Sequence, residues 1–169
     1  RGQVFLVERV AFGEHQRLES GAFTPKAIYH MLAKKPITIN GDGTQARDFT
    51  YVGDIVENLK VLAGTNKTGV THLGYGETIL LNHFIEMIYG EMPEMENLPA
   101  KEIDILRSES PIRCQQFYGR REGVRRTIEW FKKELKTWIT SILSSKSFAG
   151  RHYFDRNKIL AEYRAYVKA

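Results

Sequence analysis

Apolar residues recur along this chain with two periods, and the two alternate. Residues 3–10 (QVFLVERV) form a short, β-branched apolar run, the pattern of a buried strand. Residues 13–21 are polar and loop-like. From Thr24-Pro25 the period changes: Ala27, Ile28, Met31 and Leu32 fall three and four apart and predict a helix. Thr24 is the expected cap and Pro25 the expected first helical residue, with Lys34 and Lys35 in the last turn, where positive charge suits the helix dipole. Residues 36–40 (PITIN) alternate as a strand does, and Gly41-Asp42-Gly43 marks a turn. Residues 47–52 predict a second short strand. Asp54 caps or begins a helix whose apolar face is Ile55, Val56, Leu59 and Leu62. A strand over 70–73 leads into Gly74-Tyr75-Gly76, and Leu81, Phe84, Ile85 and Ile88 mark another helix. Residues 93–99 are predicted as a linker and 102–106 as a strand.

The last third changes character. Val124, Ile128, Phe131, Leu135, Trp138 and Ile142 define a long amphipathic helix. Residues 144–150 interrupt the pattern, and Ile159, Leu160, Tyr163 and Val167 predict one more helix. Strands alternating with helices indicate an α/β class. The chain divides on this reading into residues 1–135 and a basic helical tail, 136–169, to which the sequence gives no role.

Composition narrows the picture. Of 169 residues, 42% are hydrophobic and 27% charged, the balance of a globular domain large enough to fold without staples. No apolar run is long enough to span a bilayer, so no membrane association is expected. Cys114 is the single cysteine, which excludes an internal disulfide and favours a reducing, cytoplasmic setting. Charge is uneven: residues 120–169 carry 13 Lys/Arg against 5 Asp/Glu, and residues 1–119 carry 12 against 15. A solvated helical face accounts for the basic tail better than nucleic-acid binding, which stays open as an alternative.

Several motifs imitate catalytic ones. Residues 41–46 (GDGTQA) fit the dinucleotide fingerprint in form, but that loop must open a helix, and a strand-like aromatic run follows here. Gly74-Tyr75-Gly76 is read as a tight turn because Ile79 stands where a small residue would allow close packing. The five histidines lack partners at metal-ligand spacing. Cys114 has Arg113 and Arg120 near it in sequence, which would lower its pKa; with no paired histidine placeable, a nucleophilic role is not assigned.

Residues 36–60 (PITINGDGTQARDFTYVGDIVENLK) resemble the nucleotide-sugar epimerase/dehydratase branch of the extended short-chain dehydrogenases/reductases, whose pattern there is roughly P-[IV]-x-[IV]-x-G-D-G-x-Q-x-R-[DS]-[FY]-x-[YH]-V-x-D. Flanking segments agree in order. Phe12-Gly13-Glu14-His15-Gln16 resembles the family's Tyr-Gly-Pro-x-Gln loop, and residues 122–131 (EGVRRTIEWF) resemble its late E-G-[LV]-x-x-T-[IV]-x-W-[FY] helix. The likeness covers roughly residues 2–135.

The resemblance implies the C-terminal portion of an extended Rossmann-type, NAD(P)-binding fold: a small substrate domain of short strands and helices plus a helical tail. It implies a nucleotide-sugar ligand, of uridine-diphosphate type. A diphosphate favours Arg, whose planar fork makes paired charge-assisted hydrogen bonds. Arg47, just after the glycine turn, is the candidate, with a structural ion pair to Asp42 or Asp48 as the alternative. The resemblance sets Thr38 and Asn40 at the strand edge that meets the base; a solvent-facing edge is the alternative. Arg113, or else Arg120, matches a later phosphate-binding Arg.

Departures are equally informative. The family's N-terminal glycine loop and Tyr-x-x-x-Lys pair have no counterpart here: no Tyr has Lys four positions on. Arg1 falls just after the point where the catalytic helix should end. Val7 and Val10 stand where an Arg and an Asn are common, Glu14 stands for the Pro, Gly53 for an Asp, and the stretch between Arg113 and Glu122 is short. The expectation is a chain that binds no cofactor alone, NAD(P) belonging to the full-length family. It is either the substrate half of a 4-epimerase or dehydratase or a non-catalytic scaffold derived from one, with another copy, a partner chain or the basic tail covering the first strand.

Overall fold

A computed structural model describes residues 3–7, 10–100, 107–108, 110 and 113–144. The expected helix over 159–167 and the expected strand over 102–106 lie outside them. Among the described residues the α/β rhythm is realised in nine short strands and four α-helices. In order, they are β1 (Gln3–Val7), β2 (Ala11–Phe12), α1 (Phe23–Leu32), β3 (Ile37–Asn40), β4 (Ala46–Arg47), β5 (Thr50–Tyr51) and α2 (Val52–Ala63). There follow β6 (Gly69–Leu73), β7 (Ile79–Leu80), α3 (Leu81–Tyr89), β8 (Met95–Leu98), β9 (Arg107–Ser108) and α4 (Gly119–Ser144). Pairing is mostly parallel: β1 with β6, β2 with β5, β3 with β8 and β4 with β9, while β7 lies antiparallel on the other side of β4.

Four elements differ from the sequence pattern. α1 starts at Phe23, with extended Ala22 as its cap residue and no side-chain cap bond. Thr24 is therefore not the cap; it is buried inside the first turn. Pro25 also fits there, because the first helical amides have no acceptor within the helix. Lys34 and Lys35 lie past the helix end, and Lys34 turns the chain through a left-handed conformation (φ 51). The strand expected over 47–52 breaks at Asp48-Phe49 into β4 and β5, and Val52 already begins α2. The linker expected over 93–99 contains β8, which extends β3 in parallel, Thr38 opposite Glu96 and Asn40 opposite Leu98.

The core lies where α1, α3, α4 and β3 meet. α1 contributes Ala27 and Ile28, α3 Phe84, Ile85 and Ile88, and α4 Val124 and Phe131. Phe49 and Phe84 stack face to face, 3.8 Å between centroids, and Phe12 meets Phe84 edge-on at 5.2 Å. Each such ring contributes about 1.5–3 kcal/mol by burial. Elsewhere, Val56 and Val61 of α2 and Val70 of β6 are 43%, 55% and 62% exposed.

Candidate functional site

The glycine turn between β3 and β4 is shaped by its own side chains. Gly41 and Gly43 have φ values of 74 and 80, which glycine adopts freely. Asp42 accepts hydrogen bonds from the Thr44 hydroxyl (2.6 Å) and amide (3.0 Å), which hold its carboxyl below the usual range. The turn then presents carbonyls to α3: Leu81 N–H donates to Gln45 and Asn82 N–H to Gly43. A Cβ on Gly43 would stand 1.8 Å from Asn82 Oδ1. The first amides of α3 are thus engaged by the turn rather than presented to an anion. Gly74-Tyr75-Gly76 is engaged differently: the amides of Tyr75 and Gly76 themselves donate to Asp48 (3.2 and 2.8 Å). Neither glycine turn fits a dinucleotide pyrophosphate, which needs free amides at a helix start.

Two buried aspartates organise the surroundings. Asp48 is 1% exposed; besides those amides it takes the Thr50 hydroxyl (3.1 Å) and the Ser110 amide (3.4 Å). Asp54 is fully buried near the start of α2. Its carboxylate accepts the N–H groups of Phe117 (2.7 Å), Tyr118 (2.8 Å) and Gly119 (3.0 Å), and a hydrogen bond from the Tyr75 hydroxyl. It therefore anchors the start of α4, where unpaired amides and the helix dipole favour an anion. Burial and then the Asp54 carboxylate push the Tyr75 phenol up. One turn on, Asn58 clamps the backbone of Gln115 from both sides, donating to its carbonyl (2.7 Å) and accepting from its amide (3.0 Å).

The expected site residues fall on separate elements. Thr38 and Asn40 are half-buried and share one face of β3, alternating with buried Ile37 and Ile39. The Thr38 hydroxyl donates to Glu96 at 3.5 Å, and the Asn40 carbonyl accepts from Gln45. Arg47 sits on β4, the central strand between β7 and β9, half-buried, its guanidinium donating to the Ala46 carbonyl (2.9 Å). Arg113 is exposed and forms a bridge with Gly74, its side chain lying over Gly76. Arg120 is built into the scaffold: it donates to the carbonyls of Phe49 and Glu77, lies 4.9 Å over the Tyr75 ring and approaches Asp48 at 3.8 Å.

Cys114 corrects an expectation. Burial pushes its thiol up to about 11, and Asp54 and Asp48 add to the effect, against the lowering expected from its arginine neighbours. Low-dielectric surroundings and nearby carboxylates outweigh arginines close in sequence alone. Among the described residues no group of three His, Cys, Asp or Glu is placed to hold a metal. His30 interacts with the Pro36 carbonyl (2.7 Å), and His15 packs on Trp130. Sequence reasoning missed the two aspartate anchors. The available signal was an Asp set among residues destined for the core, as in Arg47-Asp48-Phe49-Thr50-Tyr51-Val52.

This architecture, short parallel strands with the R-D-F-x-Y-V-x-D segment at its centre, is part of a Rossmann-type α/β fold. The UDP-N-acetylglucosamine 4-epimerase from Methanobrevibacter ruminantium, solved with UDP-N-acetylmuramic acid, matches it with a TM-score of 0.68 at 25% identity, over 77% of this chain and 46% of that one. MoeE5, solved with UDP-glucose and NAD, matches with a TM-score of 0.64 at 26% identity, over 79% and 48%. Residues 6–75 match the profile described as the NAD dependent epimerase/dehydratase family. The UDP-glucuronate 4-epimerase of Thermodesulfobacterium geofontis is 32% identical over 116 residues, 61% of this chain and 35% of that protein. UDP-glucuronic acid decarboxylase 1 of Danio rerio is 26% identical over 135 residues, 74% and 32%. Over residues 6–75 the chain is thus similar to the NAD-dependent epimerase/dehydratase family of extended short-chain dehydrogenases/reductases. It spans about a third of the length of these curated relatives.

Proposed function

We propose that this chain is the nucleotide-sugar-binding half of an NAD(P)-dependent 4-epimerase or dehydratase, supplying substrate binding and no hydride chemistry by itself. The observation that carries the reading is Arg47, placed on the central strand of a three-stranded sheet directly after the Gly41–Gly43 turn. There it would meet a uridine-diphosphate-type ligand with its guanidinium, Thr38 and Asn40 lining the base end and Arg113 adding charge from the Gly74 bridge. The names of the similar enzymes, which act on UDP-sugars, support this ligand class. NAD(P), when bound, supplies the hydride acceptor of the family's chemistry. The first α3 amides beside one glycine turn and the amides of Tyr75 and Gly76 in the other are engaged, which favours a site for it outside this chain.

The exposed valines Val56, Val61 and Val70 support a covering partner. That partner is the cofactor half, in the same polypeptide or another, or a second copy. The rival reading is a non-catalytic scaffold derived from the same family. No helix among the described residues is long and apolar enough to cross a membrane; a cytoplasmic setting is part of the proposal.

Calorimetric titration with UDP-glucose and UDP-glucuronate separates the readings. Losing charge-assisted contacts to phosphate costs about 1.5–3 kcal/mol, roughly 10- to 150-fold in affinity. Arg47→Ala is expected to weaken binding by that factor while the circular-dichroism spectrum holds. Undiminished affinity in a folded variant removes Arg47 from the site.

A further inference from the structure

Two of the departures from the family pattern, Glu14 and Gly53, meet at one side chain. Tyr51 is 3% exposed, and its ring is held at close range on several sides. A Cβ on Gly53 would stand 2.4 Å from Tyr51 Cε1, and a Cβ on Gly123 of α4 would stand 2.4 Å from Tyr51 Cγ. Both distances are far inside contact, so the ring occupies space that side chains at 53 and 123 would claim. Phe12 and Tyr118 pack against the same ring, each at 5.8 Å. The slot directs the hydroxyl to the loop after β2, where it donates to Glu14 Oε1 at 2.8 Å. Arg126 of α4 stands beside the same hydroxyl, lies 4.3 Å over the Tyr118 ring and donates to Glu122 at 2.8 Å. The next loop residue, His15, has φ 64, a conformation uncommon outside glycine, and its ring packs 5.0 Å from Trp130 of α4.

We infer that Glu14, Tyr51 and Gly53 form one latch, in which Gly53 clears the space for the ring and Glu14 receives its hydroxyl, fixing the Gly13–Gln16 loop against α4. The physical argument is one of replaced stiffness. A proline at position 14 would restrict the loop through its ring. Glutamate restores that backbone freedom, and the loop needs another restraint to keep His15 in a left-handed conformation. A buried phenol donating to a carboxylate is such a restraint, because charge-assisted bonds are the stronger class and an unmatched phenol there would be costly. An Asp side chain at 53 would collide with the ring that makes the bond. The two departures therefore depend on one another. The latch is a positioning device for the loop, independent of which ligand the neighbouring site takes.

Hydrogen exchange of the full chain tests it. Tyr51→Phe removes the donor and Glu14→Met the acceptor, each with little change in side-chain size. Each is expected to speed exchange of the 13–16 amides on the order of tenfold while α1 and α3 amides keep their protection. The double variant is expected to match the single ones, since both remove the same bond. The clearance half is read by melting temperature. Gly53→Ala is expected to lower it, whereas Gly64→Ala, whose Cβ would meet only the Val61 carbonyl at an ordinary 3.5 Å, is not. Unchanged loop exchange in the single variants, additive effects in the double, or equal tolerance of alanine at 53 and 64 would each overturn the latch.

Discussion

Asp54 shows how a single side chain sets the geometry of a distant segment. It is fully buried, and its carboxylate carries three backbone amides and one phenol. Removing it strands all four donors, each worth about 1–3 kcal/mol when buried and unpaired, though losses within one network do not add fully. Asp54→Ala is therefore expected to destabilise the chain by about 3–5 kcal/mol in urea titration. Asp54→Asn, which keeps one acceptor oxygen, is expected to lose less. An Ala variant within about 1 kcal/mol of the parent would remove the anchor from this account. The sequence singles out Asp54 only as a helix cap or first residue, because its partners lie more than sixty positions on, at 117–119. Arg113 and Arg120 are alternatives in sequence for the later phosphate contact. The fold separates them, by turning Arg120 onto Phe49, Tyr75 and Glu77 and leaving Arg113 exposed.

At the scale of elements, the helices were the more legible. Apolar residues three and four apart located α1, α3 and α4, because that spacing reports a face and each of these three buries apolar residues. Strands of two residues leave almost no periodic trace. β4 and β5 read as one strand since Asp48 and Phe49 between them are core residues, one polar and one aromatic. β8 read as linker because Glu96, Asn97 and Leu98 are exposed, and its order comes from backbone pairing with β3. The β3–β4 turn tests how these pieces interlock. Gly43→Ala forces a left-handed conformation, about 1–2 kcal/mol, and pushes on Asn82, which holds the Asp42 carbonyl at 3.1 Å. A loss of about that size is expected by thermal melting, partly recovered when Asn82→Ala is added. A fully neutral Gly43→Ala would show that the turn does not lock α3.

At the scale of the molecule, the α/β class was legible from alternating periods, and the family from residues 36–60. What the pattern left open was how the first strand is satisfied. β1 pairs with β6 in register, Gln3 opposite Gly69 through Val7 opposite Leu73. A two-stranded parallel ribbon is an unusual free-standing unit, since parallel sheets are normally covered on both faces. With Val70 of β6 62% exposed, the isolated chain is expected to associate, and sedimentation that gives only a monomer would count against the covering partner. The central claim is a division of labour, nucleotide sugar on this chain and dinucleotide elsewhere. Its most direct test is a pair of calorimetric titrations on the purified chain, one with a UDP-sugar and one with NAD. The account predicts saturable binding of the UDP-sugar and none of NAD in the micromolar range. Tight one-to-one NAD binding, or no response to any UDP-sugar, would contradict it.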